Sequence, residues 1–245
     1  VRPTMGAQGA WFVYLLHVVL LGAFIAASGI DLELWIIPLS ICWFVTAAGF
    51  IGSALGGYFI DFEAIRADWL LPTASPRTGA LALGAAVGVG VGWLLLRTGV
   101  LKRSYDESQT EERGAAIQDD RGRPAGPGPF DEPQFNHRLE ALREIVFLTP
   151  IIVCAVLASV ILATSGRIGV WWNHAVAHPV VCGLLGSVFG YFVGCATVWA
   201  TRILGTLAFG KEAMGLGDVH LMGAAGAVIG PVMVVIAFFI APFFG

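Results

Sequence analysis

Along the chain, long runs free of formal charge alternate with short segments in which charges collect. Six apolar runs, at residues 11–30, 38–60, 79–96, 145–163, 179–200 and 219–240, approach or exceed the roughly 20 residues a helix needs to cross a bilayer. The pattern predicts an all-α fold, a polytopic membrane helix bundle of about six transmembrane helices. Everything else is read as connection. The segment 102–144 mixes both charge signs with the run Arg121-Gly122-Arg123-Pro124-Ala125-Gly126-Pro127-Gly128-Pro129, which cannot build a core, so a flexible charged loop is expected there. It divides the chain into residues 1–101 with the first three helices and residues 145–245 with the last three. The run 11–30 is longer than a signal-peptide core and only Arg2 carries positive charge before it, which favours a retained helix.

Composition agrees with lipid as the main solvent: 57% of the 245 residues are hydrophobic and 13% charged, which excludes an ordinary soluble domain. The net charge of -3 leaves no basic footprint for nucleic acid. Cys42, Cys154, Cys182 and Cys195 all fall inside apolar runs without metal-ligand spacing and are read as buried small hydrophobes, so no metal and no cofactor are expected.

Six spans place the Asp31 connection, the long charged loop and the connection before Val219 on one side. Of the 14 lysines and arginines, only Arg2, Arg66, Arg77 and Arg167 fall on the other side, so the positive-inside rule makes the Asp31 side cytoplasmic. Glycines at four-residue spacing (Gly52 and Gly56; Gly84, Gly88 and Gly92; Gly186, Gly190 and Gly194) predict close helix packing rather than ligand binding. Trp171 and Trp172, beside Asn173 and His174 in the loop after the fourth helix, suit an interfacial aromatic belt.

Ionisable residues at the edge of apolar runs are candidates for chemistry. Asp31 follows the first run, just past the predicted end of its helix, where the helix dipole opposes a negative charge. Asp218 stands in Met214-Gly215-Leu216-Gly217-Asp218-Val219-His220, immediately before the sixth run. If the first and sixth helices pack together, repulsion between the two carboxylates leaves them sharing one proton. Such a pair activates water: the ionised member removes its proton while the protonated member supports the oxyanion and then the leaving amine. Gly215 and Gly217 would let the backbone leave helical geometry and admit an extended substrate. The plainer readings are a helix cap for Asp218 and a solvated helix end for Asp31. Glu33, Asp61, Glu63 and Asp68 read as interfacial charges, Glu212 as the best supporting acid, and His220, one turn into the helix, either as a residue tuning the pair or, more simply, as a side chain reaching the headgroups.

With its flanks, the stretch Lys211-Glu212-Ala213-Met214-Gly215-Leu216-Gly217-Asp218-Val219-His220 followed by Gly223, Gly226 and Gly230 resembles the second motif of type IV prepilin peptidases, bacterial GxGD membrane aspartyl proteases. Gly29-Ile30-Asp31 through Ile36-Ile37-Pro38 resembles their first motif, in the family's order. The resemblance covers about half the chain and departs from the family pattern at Leu39, Ala213 and His220. It implies an aspartic-type endopeptidase of the bacterial inner membrane, with Asp31 and Asp218 as dyad. The implied substrates are type IV prepilins or type II secretion pseudopilins, cut at the cytoplasmic end of their apolar helix. The family's cysteine-rich segment has no counterpart here, so neither its zinc nor its N-methylation is carried over; the family also continues through further helices, which leaves a fragment among the readings. Two alternatives stand: another GxGD protease, whose Tyr-Asp and Pro-Ala-Leu motifs are not matched, and a proton- or cation-coupled transporter, which calls for carboxylates nearer mid-membrane.

Overall fold

The computed structural model describes residues 9–34, 37–60, 71–100, 137–164, 166–211 and 213–244. Among them, seven helices follow in order: α1 (Ala10–Leu34), α2 (Leu39–Phe59), α3 (Pro76–Arg97), α4 (His137–Thr164), α5 (Gly166–Ala177), α6 (Pro179–Phe209) and α7 (Leu216–Ile240), with a closing 3-10 turn, Ala241–Phe243. All but α5 are long and apolar enough to cross a membrane. The protein is an all-α, multi-pass integral membrane bundle. Large apolar side chains such as Tyr14, Ile25, Trp43 and Phe44 point outward, as a lipid solvent allows.

Helix ends differ from the apolar runs for a common reason: a helix continues beyond the hydrocarbon until a residue forbids it. Helix α1 runs to Leu34, four residues past the predicted end, so Asp31 lies in its last turn rather than after it. Leucine and glutamate there are good helix formers, and the first obligatory break is imposed by Pro38. Helix α4 begins at His137, eight residues before its apolar run, and Glu140 and Glu144 are buried on it. Residues 102–136, the rest of the predicted charged loop, lie outside the described residues, as do Asp61, Glu63, Arg66, Asp68, Leu101 and Glu212.

The predicted loop carrying Trp171 is instead the short helix α5. Trp172 is buried and donates its Nε1 to the Pro76 carbonyl at 2.8 Å, while Trp171 faces outward. Only Trp171 therefore fits the aromatic-belt reading.

Helix α6 is the central post. It packs on α2, α3, α4 and α7, while α1 lies against α2 and α7 at the edge of the bundle. Glycines set these approaches as expected. A Cβ at Gly88 would lie 2.5 Å from the Ile151 Cα, so α3 and α4 touch backbone to backbone, and Gly190 and Gly226 do the same for α6 and α7.

Helix α7 is broken at Gly230, whose φ of +81° suits glycine, and Pro231 follows. A proline has no N–H to offer the carbonyl four residues earlier, which leaves Ala227 without its helical partner. The buried Ser187 hydroxyl on α6 donates to that carbonyl at 2.5 Å, closing in lipid a bond the helix cannot make for itself.

Candidate functional site

The C-terminal end of α1, the N-terminal ends of α2, α4 and α7 and the C-terminal end of α6 gather at one end of the bundle. Asp31 and Asp218 are both half-buried there, and Asp31 lies within electrostatic reach of Asp218. These two residues, far apart in the chain, are thus brought to one place.

Asp218 is the third residue of α7. Its Oδ2 accepts a hydrogen bond from the Gly215 amide at 3.2 Å, and Gly215 is the N-cap, in extended geometry with φ -74° and ψ 154°. This is one half of a capping box, since a glycine N-cap has no side chain with which to reciprocate. The capping reading of Asp218 therefore describes a real bond, made from the third helical position rather than from the N-cap. One carboxylate oxygen is engaged in this way and the helix N-terminus favours negative charge at it, while partial burial and, to a smaller extent, the neighbouring Asp31 oppose that charge.

Of the two motif glycines, Gly215 lies outside helical geometry as expected and Gly217 does not. Gly215 adopts a conformation open to any residue, and Gly217 is helical. What Gly217 supplies is room: a Cβ there would stand 3.0 Å from the Ile37 Cβ, so the first turn of α7 rests directly against the segment that leads from Asp31 into α2. The absent side chain draws the two aspartate-bearing segments together. Gly217→Val is expected to destabilise the protein by about 1–3 kcal/mol through overpacking, with Gly217→Ala milder. Thermal unfolding in detergent measures this, and a Val variant as stable as wild type would remove the close-approach argument.

His220 is half-buried, with its ring beside that of Trp43 and the centroids 6.0 Å apart. The buried Val219 offers its carbonyl to the Cys195 thiol at 3.5 Å, which anchors the first turn of α7 to α6.

A polar cluster unanticipated in the sequence supports the approach to Gly215. Arg202 and Glu144, which look like membrane-edge charges when counted for topology, are 1% and 4% exposed and form a buried ion pair between α6 and α4. Trp199 donates to Glu144, and Thr206 accepts from the Ala213 amide at 3.4 Å. The available signal was Arg202 itself, a charge within the long polar-poor stretch that α6 continues beyond residue 200.

No protein-family model, curated protein or solved structure matches the chain.

Proposed function

We propose that this chain is a membrane aspartyl endopeptidase that removes the leader of type IV prepilin or pseudopilin-like substrates at the cytoplasmic face of a bacterial inner membrane. The observation that carries the reading is the convergence of Asp31 and Asp218 at one end of the bundle, within electrostatic reach of each other. The motif resemblance around both residues supplies the substrate class, and the bias of lysine and arginine towards the same end supplies the orientation.

In this mechanism the two carboxyl groups hold one proton between them. The ionised member takes a proton from water as its oxygen attacks the scissile carbonyl carbon, and the protonated member donates to the developing oxyanion. Collapse of the tetrahedral intermediate breaks the C–N bond, the amine takes up a proton, and the leader departs as a carboxylic acid. The chain's own part is to hold both acids beside one water and to fix one Asp218 oxygen on the Gly215 amide. Because α1 lies at the edge of the bundle, a substrate helix can reach Asp31 sideways from the bilayer. Transport, the alternative use for two acids, is less well served by carboxylates at helix ends than by carboxylates at mid-membrane.

The test is co-expression with a short membrane protein bearing a basic leader, a Gly-Phe-like junction and an apolar helix. Wild-type protein is expected to yield a product whose mass and new N-terminus locate the cut at that junction. A precursor that stays intact while both proteins are abundant in the membrane counts against the proposal.

A further inference from the structure

Several polar contacts outside the aspartate pair converge on the two residues ahead of Gly215. Arg202 Nε donates to Glu144 Oε1 and Oε2 at 3.1 and 3.3 Å, and its Nη2 lies 3.1 Å from Oε1. Its Nη1 donates to the Met214 carbonyl. Trp199 Nε1 donates to Glu144 Oε2 at 3.0 Å. One helical turn beyond Arg202, the buried Thr206 holds the Ala213 amide.

A guanidinium this deeply buried needs a carboxylate to neutralise it, and Glu144 does so. The rigid fork is then divided: one edge faces the carboxylate and the other takes a main-chain carbonyl. That carbonyl belongs to the peptide bond joining Met214 to Gly215, and the N–H of the same peptide group is the donor that Asp218 accepts. Because the peptide group is planar, fixing its carbonyl fixes the direction of its N–H. We infer that Arg202, neutralised by Glu144, is a positioning residue: by gripping the Met214 carbonyl it orients the Gly215 N–H and thereby the Asp218 carboxylate. The catalytic consequence rests on the peptidase reading; the structural content does not.

The competing account is that the ion pair only staples α4 to α6, and the experiment separates the two. Replacing Arg202→Met together with Glu144→Leu substitutes an apolar contact of similar volume for the buried pair, an exchange that generally keeps or raises stability. It removes the grip on Met214. Full-length protein in lipid nanodiscs is compared with wild type by thermal unfolding, by amide hydrogen exchange over residues 213–218, and by kcat and KM for prepilin cleavage.

The expected result is an unfolding temperature at or above that of wild type, exchange at residues 213–218 faster by roughly tenfold, and a lower kcat at unchanged KM. Exchange in that segment as slow as in wild type, or cleavage at wild-type kcat, would overturn the inference. If wild type cleaves no prepilin the peptidase reading fails, and the exchange arm still decides the role of Arg202. Should the double variant not accumulate, Arg202→Lys carries the same exchange test. Its single ammonium retains the charge but cannot span both Glu144 and the Met214 carbonyl as a planar fork does.

Discussion

Asp31→Asn and Asp218→Asn should each lower prepilin cleavage by on the order of 10³-fold or more while leaving membrane abundance unchanged, because the proposed mechanism gives each residue one half of an acid–base pair. The Asp218 substitution is the more informative of the two. An asparagine side-chain oxygen can still accept from the Gly215 amide, so the cap that Asp218 makes at 3.2 Å is preserved while the charge and the exchangeable proton are lost. A purely capping role therefore predicts an active Asn variant, and a catalytic role an inactive one. Asp31 has no such cap to preserve at the end of α1, and the same loss is expected there. Quantifying precursor and product with the protein at matched levels decides the matter, and cleavage surviving either substitution would end the two-aspartate mechanism.

The second large effect belongs to stability. Arg202→Met alone leaves the Glu144 carboxylate buried without its counter-charge, and breaking one side of such a pair costs about 3–5 kcal/mol. The Trp199 indole remains as a donor to Glu144 and offsets part of this. A clear fall in unfolding temperature is expected for the single variant, with recovery when Glu144→Leu is added. Equal stability of single variant and wild type would mean that Glu144 escapes to solvent or takes up a proton at little cost.

The spans were legible in the sequence because lipid imposes a length of apolar residues that few other contexts require. Their ends were not, because the apolar run stops at the first charge whereas the helix stops at the first residue unable to continue it. Asp31 in the last turn of α1 and Glu144 in the second turn of α4 both come from that difference. Asp31 and Asp218 were conspicuous as isolated acids beside charge-free runs, and their meeting required only that the first and last helices be neighbours. Arg202 and Glu144 escaped notice for the opposite reason: each has a plausible single-residue explanation as a headgroup-facing charge. Nothing in the order of residues announces that positions 144 and 202 face each other. Gly217 was noticed and its purpose misjudged, since backbone freedom is a property of the residue whereas closeness to Ile37 is a property of the fold.

The break in α7 at Gly230 divides the last span into two mechanically distinct rods. The rod carrying Asp218 is clamped to α6 where Gly190 meets Gly226 and where Ser187 holds the Ala227 carbonyl. The second rod, past Pro231, stays packed on the bundle: Val234 is fully buried, and Phe238 rests against the cluster of Cys195, Val198 and Val219, so the break turns the end of α7 back towards the Asp218 end of α6. The last residues of α7 thereby brace the stretch of α6 to which the Cys195 thiol fastens the first turn of the same helix, so one end of α7 buttresses the other.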